Sequence, residues 1–160
     1  MLKVKIICIG KLKEKYLTDA AAEYLKRLSA FCKAEIAELG EERLPDNPSE
    51  AEKARCLKKE SEKIRKEIPA GAYVYSLQIE GKQLTSEAFA VHMQKQATAG
   101  KSTLAFLIGS SFGLDEALKK QSDFALSFSQ MTFPHQLARV MLLEQLYRAF
   151  SINAGTKYHK

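Results

Sequence analysis

Two hydrophobic periods take turns along this chain. From Lys3 the lysines alternate with Val4 and Ile6, and the run through Ile7 to Ile9 is apolar, which predicts a strand that starts half exposed and ends buried at Gly10. Tyr16, Leu17, Ala20, Ala21, Tyr24, Leu25, Leu28 and Phe31 then recur at helical spacing, and Ala34 to Leu39 alternates as a second strand. Residues 41–48 form a polar, proline-bearing loop, after which Ser49 with Glu52 makes a capping-box signature. The helix it opens is almost all Glu, Lys and Arg. Its narrow apolar stripe is Ala54, Leu57, Ile64 and Ile68, which predicts a solvated outer helix ended by Pro69 and Gly71.

Ala72 to Ile79 predicts a third strand, with Glu80-Gly-Lys-Gln-Leu84 turning away from it. Thr85 or Ser86 caps a helix running to about Ala99, and Gly100–Lys101 makes a turn. Thr103 to Ile108 is nearly continuous in apolar residues, as a strand covered on both faces of a parallel sheet must be. Asp115 to Gln121 reads as a short helix and Phe124 to Phe128 as the last strand. Alternating strands and helices predict an α/β fold with a mostly parallel sheet flanked by helices, and the 160-residue length predicts one domain over 1–160.

The stretch Ser127 to Phe150 stands apart. Pro134 disfavours helix for the residue before it and suits the first turn of a helix itself, so a loop over 127–133 feeds a helix from His135 to about Ile152. Leu137, Val140, Met141, Leu142, Leu143, Leu146, Tyr147 and Phe150 spread around nearly its whole circumference. A helix apolar all round is buried on more than one side. The expectation is one side against the home core and the other against a second copy of the chain. Its few charges are Arg139, one turn after His135, and Glu144 with Arg148 at i, i+4 spacing.

Composition narrows the class. Apolar residues at 46% and charged residues at 28% fit a globular chain, and no apolar run approaches the roughly 20 residues of a membrane span. The alternating N-terminal stretch is unlike a signal peptide. Three cysteines, Cys8, Cys32 and Cys56, with no C-x-x-C spacing argue against a disulfide framework or a zinc site and fit a reducing cytoplasm. The net charge of +6 favours polyanionic partners, and Lys11, Lys13 and Lys15 form a small basic cluster just after the first strand, either a solvated face or a set of phosphate contacts.

In open α/β sheets ligands bind beyond the carboxyl ends of the strands. Three such ends fall late in the chain: Leu77–Gln78, Gly109-Ser-Ser-Phe-Gly113 and Phe128 to Phe133. The glycine segment is neither a dinucleotide fingerprint nor a Walker loop, so its glycines either make a turn or let backbone approach a ligand. The segment Phe128 to Phe133 offers backbone donors and acceptors beside Met131 and Phe133, which suits a nucleoside-like ligand. No nucleophile triad and no paired hydrolase carboxylates are evident.

The segments F-L-I-G-S-S-F-G-L at 106–114, L-S-F-S-Q-M-T-F-P-H-Q-L-A-R-V at 126–140, L-E-Q-L-Y-R-A at 143–149 and Y-H-K at 158–160 together resemble the RlmH family of SPOUT-class methyltransferases, a resemblance that runs the length of the chain. It implies methylation of N3 of a pseudouridine in large-subunit ribosomal RNA, on the assembled ribosome, with S-adenosylmethionine as donor and no metal. A homodimer with a C-terminal trefoil knot is implied as well, a topology no pattern rule would supply. Carried over by residue, the cofactor site comprises Leu77, Gly109, Phe128, Ser129, Gln130, Met131, Thr132 and Phe133. Arg139, Tyr158 and His159 are the catalytic candidates, with His135 a further one that can equally cap and pack. Lys11, Lys13, Lys15 and Arg139 are the RNA-binding candidates. Relatives usually carry glycine where this chain has Ser110, which predicts strain if that position needs a positive φ. The short polar tail would by composition alone be frayed. Two other readings compete: a basic RNA- or ribosome-binding module without catalysis, and a phosphate-binding nucleotide domain.

Overall fold

A computed structural model describes residues 1–160. Five strands, β1 (Lys3–Ile9), β2 (Lys33–Leu39), β3 (Tyr73–Gln83), β4 (Thr103–Ile108) and β5 (Phe124–Ser127), form one sheet in the order β2-β1-β4-β3-β5. Every pairing is parallel. Five helices connect and follow them: α1 (Lys15–Leu28), α2 (Glu50–Glu67), α3 (Ser86–Thr98), α4 (Glu116–Gln121) and α5 (His135–Asn153).

The strand alternation divides the core in two. Val4, Ile6 and Cys8 of β1 and Leu104, Phe106 and Ile108 of β4 face α1, α3 and α5. Ile7, Ile9, Ala105 and Leu107 face Ile64 of α2 and Leu118 of α4. β4 is central and covered on both sides, the physical reason its sequence carries no polar face. The helix starts follow local chemistry: Ser49 and Glu52 cap α2 reciprocally, and the Thr85 side chain accepts from the Ala88 amide to start α3. No helix is long and apolar enough to cross a membrane.

Three details depart from the sequence reading. β3 does not turn away at Ile79: it continues to Gln83, with Leu77 and then Lys82 both registering against Leu126 of β5, so residues 78–81 bulge out. The buried seam of α2 is not the expected stripe, because Ala54 is exposed while Cys56, Glu60, Ser61 and Ile64 are buried. The all-round apolarity of α5 is consumed largely within the chain. α5 packs against both α1 and α3, and Leu142, Leu143, Leu146 and Ala149 join the sheet-facing core. Each fully buried leucine contributes about 1.5–3 kcal/mol. Leu137, 39% exposed, and the half-buried Val140 and Met141 are left facing outward.

Candidate active site

The carboxyl ends of β3, β4 and β5 and the first turn of α5 enclose a cavity of about 670 Å3. Seven of the eight expected cofactor residues line it: Leu77, Gly109, Phe128, Ser129, Met131, Thr132 and Phe133. Gln130 is exposed and does not. The volume lies within the roughly 300–1,000 Å3 of small-molecule sites.

Local bonding shapes each wall. The Gly113 amide donates to the Ser110 carbonyl at 2.8 Å, closing a turn in which Gly113 takes a φ of +83°. That turn folds back so tightly that a Cβ on Gly109 would overlap the carbonyl carbon and oxygen of Gly113. Gly109 is therefore required by the loop's approach to itself. Ser110 does not have a positive φ, since Asn47 alone among non-glycine residues does. The strain expected at this serine is absent, and its hydroxyl instead donates to Glu60 Oε1 at 2.9 Å. On the other wall, the buried Ser127 hydroxyl lies 2.8 Å from the Ile79 carbonyl and 3.0 Å from that of Ser129, and Ser129 Oγ accepts from the Met131 amide at 3.0 Å. These bonds bend the chain after β5 over the cavity and leave the Met131 side chain 71% exposed.

Among the lining residues the charged groups are Glu80 and Lys119, paired at 2.7 Å. The hydrogen bond from Lys119 holds the Glu80 carboxyl below the usual carboxylate range. His135 also lines the cavity, with Nε2 3.8 Å from Glu41 Oε1. Nowhere do three or more His, Cys, Asp or Glu side chains come together as a metal group.

Arg139 sits differently from expectation. It is 1% exposed, donating from Nη1 to Glu38 Oε2 at 2.5 Å and from Nη2 to the Gly10 carbonyl at 2.9 Å. A guanidinium so enclosed has no surface to offer a phosphate or a base, so the RNA contact and the catalytic role expected of Arg139 do not fit this placement. It ties the second turn of α5 to the carboxyl ends of β1 and β2 instead. Glu38 Oε2 also accepts from the Leu12 amide at 3.3 Å, and the Lys13 amide donates to Gln136 Oε1 at 3.1 Å. The clamp thus holds the 11–15 segment beside the cavity's His135 end. Lys11 and Lys13 are exposed with no carboxylate within 4 Å, while Lys15 pairs with Asp19 at 2.6 Å.

The tail is not frayed. Tyr158 packs edge-on to Tyr147 with ring centroids 4.7 Å apart, lies under the Arg148 guanidinium, and donates to Glu144 Oε1 at 3.2 Å. Burial, together with Tyr24 and Glu144, pushes its phenol up to about 12. His159 Nδ1 is 3.0 Å from Arg148 Nη1 and its Nε2 is 2.7 Å from Glu87 Oε1. Arginine can only donate, so Nδ1 accepts and the proton sits on Nε2, directed at Glu87. This cluster adjoins a second cavity of about 460 Å3 whose walls include Tyr24, Phe89, Val140, Met141 and Glu144. Leu126 and Phe128 line both cavities, so the two lie back to back across the end of β5. Glu144 lies two and a half turns beyond His135 on α5, roughly 13 Å at 1.5 Å per residue.

Sequence reasoning missed Glu60, Lys119, Glu80 and Gly81. Glu60 continues the Cys56–Ile64 seam at i+4 spacing, a signal hidden because a carboxylate is not expected inside. Lys119 and Glu80 meet only through the β3 bulge. Gly81 has backbone of Ala125 at 2.8 Å from where its Cβ would be, a close approach between β3 and β5 that only the register jump reveals.

Comparison with known proteins points one way. A family profile described as "Predicted SPOUT methyltransferase" matches residues 2–159. A protein of Bacillus thuringiensis (strain Al Hakam) called "Ribosomal RNA large subunit methyltransferase H" is 54% identical over 159 residues, 99% of this chain and 100% of its own. One of the same name from Streptococcus equi subsp. zooepidemicus is 48% identical over 159 residues, with the same coverage of 99% and 100%. Among solved structures, a "Probable Methyltransferase from Bordetella pertussis" superposes with a TM-score of 0.57 at 14% identity, covering 93% of this chain and 96% of its own. A "probable methylase family protein from Haemophilus influenzae" gives 0.54 at 15% identity over 98% of this chain and 70% of its own. At those identities the two structures speak for the fold alone.

Proposed function

The chain belongs to the SPOUT methyltransferase family, and from that premise we propose that it transfers a methyl group from S-adenosylmethionine to N3 of a pseudouridine in large-subunit ribosomal RNA, acting in the cytoplasm on the assembled ribosome. The observation that carries this reading is the convergence of Leu77, the Gly109 loop and the 128–133 segment on one cavity of cofactor size. The family's C-terminal knot and homodimer belong to the same reading.

The residues fit the cofactor. Leu77, Phe128, Met131 and Phe133 supply apolar surface for an adenosine ring, and Ser129 and the Gly109 loop supply backbone polar groups around it. When bound, S-adenosylmethionine supplies an already activated methyl on a sulfonium, so no metal is required. The chain's task is then positioning and charge. An imide N–H is a poor nucleophile until its proton leaves, and the developing anion must be stabilised where water is excluded. Tyr158, its phenol held protonated, can donate to the imide carbonyl as charge builds, and His159 can take the imide proton once its Nδ1 is freed from Arg148. Purified protein with S-adenosylmethionine and ribosomes from a strain lacking it should add one methyl to one pseudouridine on nucleoside mass analysis. An unchanged nucleoside profile would leave a non-catalytic binding module as the reading.

RNA approaches across Lys11, Lys13 and Lys15 in this reading. Ribosome affinity should fall steeply with salt, and replacing Lys11 and Lys13 with alanine should flatten the log–log slope by about 0.7–0.9 for each phosphate no longer neutralised. A slope that the double variant leaves unchanged would place the RNA elsewhere.

The outward residues Leu137, Val140 and Met141 of α5 supply an apolar seam for a second copy, and light scattering at micromolar concentration should give twice the chain mass. A monomer there would remove the dimer from the proposal.

A further inference from the structure

We infer that Glu60, on the outer helix α2, is a positioning residue for the cofactor loop, acting through the hydroxyl of Ser110. The inference rests on the proposal that the Gly109–Gly113 loop lines the S-adenosylmethionine site.

α2 is rich in charged residues, nearly all of which point to water. Of its charged side chains Glu60 alone is turned fully inward, 2% exposed. Burying a carboxylate is costly unless hydrogen bonds replace its hydration. Both oxygens find partners: Oε1 accepts from Ser110 Oγ at 2.9 Å and Oε2 from the Glu42 amide at 3.3 Å. No lysine or arginine reaches within 4 Å of it, as the ion pairs of α2 run to other carboxylates. Desolvation accordingly pushes its carboxyl upward, partly offset by the Ser110 and Glu42 bonds. A surface ion pair would have been the less costly arrangement for the helix; the inward carboxylate goes instead to the Ser110 hydroxyl of the turn behind the cavity.

The other contacts from α2 to this turn and the residues just after it are looser. Lys53 lies 5.6 Å from the Phe112 ring centroid, and Arg65 Nη2 is 3.8 Å from Asp115. Both are partly solvated and weak. On its far side the same turn presents Gly109, Ser110, Ser111 and Gly113 to the cavity. The Ser110–Glu60 bond therefore fixes the side chain of a residue whose backbone forms the cavity wall. Fixing a loop in its binding geometry before the ligand arrives raises affinity by lowering the ordering cost.

Calorimetry with S-adenosylmethionine tests this on the whole chain. Ser110→Ala and Glu60→Ala should each raise the cofactor Kd roughly three- to tenfold, the scale of one net hydrogen bond. The double variant should be no worse than the weaker-binding single one, because both remove the same tether. Glu60→Gln, which keeps an acceptor oxygen for Ser110 but turns its NH2 toward the Glu42 amide, should recover part of the affinity lost in Glu60→Ala. In turnover the loss should appear in KM for S-adenosylmethionine with KM for ribosomes held. If Glu60→Ala does not fold, Ser110→Ala decides. A folded Ser110→Ala protein with wild-type cofactor Kd, or a parallel rise in both KM values that follows a lower Tm, would overturn the inference. Wild-type protein that ignores S-adenosylmethionine would instead overturn the proposed function.

Discussion

Removal of Tyr158, His159 and Lys160 is expected to lower methylation of ribosomes by about 100-fold or more, the scale of a lost general acid–base partner, while S-adenosylmethionine affinity stays near wild type. The two effects separate because the tail and the first cavity, the proposed cofactor site, are separate places. Tyr158 and His159 dock on Glu144, Arg148 and Glu87, beside the second cavity, and neither lines the first. The polar pairs that dock them are individually worth about 0–1 kcal/mol, and the Tyr147 and Arg148 contacts to the Tyr158 ring add about 0.5–1.5 kcal/mol each, a hold that a flipped base stacking on Tyr158, worth roughly 1–3 kcal/mol, can offset. The rise of α5 puts their anchor roughly 13 Å from His135. In the proposed reaction the tail would reach the methyl donor by undocking toward its own cavity or by serving that of a second copy. Single-turnover methylation and calorimetry on the same truncated preparation measure both quantities. Full methylation by that preparation would make the tail dispensable; absent cofactor binding would place it at the first cavity.

Gly109→Ala carries the second large effect. One methyl group there meets the Gly113 carbonyl inside van der Waals contact, and the obstacle is backbone, which cannot swing aside as a side chain would. The turn from Ser110 to Gly113 must open, with its 2.8 Å hydrogen bond and the wall it forms. Overpacking of this kind costs about 1–3 kcal/mol in stability. The displaced wall should raise the cofactor Kd at least about tenfold, or 1.4 kcal/mol. Thermal unfolding and calorimetry read the two effects. A folded Gly109→Ala protein with unchanged affinity would show that this loop is not part of the cofactor site.

Much of this protein is legible in its sequence because the signals are local. Period-two and period-3.6 patterns place every strand and helix to within a few residues, except where β3 runs on past Ile79. The apolar run Thr103–Ile108 says by itself that β4 lies inside a two-sided sheet. Ser49 with Glu52 announces a helix start through reciprocal side-chain bonds three residues apart, and Pro134 announces one through its fixed φ and the restriction it places on the residue before it. Three strand ends can be read as one ligand site because parallel sheets gather their carboxyl edges.

What the tertiary structure alone decided depends on pairs far apart in the chain. Arg139 reads as a surface cation, yet its partners Glu38 and the Gly10 carbonyl lie 101 and 129 residues away, and those partners turn it inward. The apolar circumference of α5 reads as a demand for a second copy until α1 and α3 are found to cover much of it. Ser110 reads as a strained substitute for glycine; the actual fold gives it an ordinary φ and, 50 residues back, a carboxylate to hold. Propensity and periodicity are set by neighbours along the chain. Burial of a charge and the occupant of a helix face are set by whatever the sheet order brings alongside, and that order is not written in any single segment.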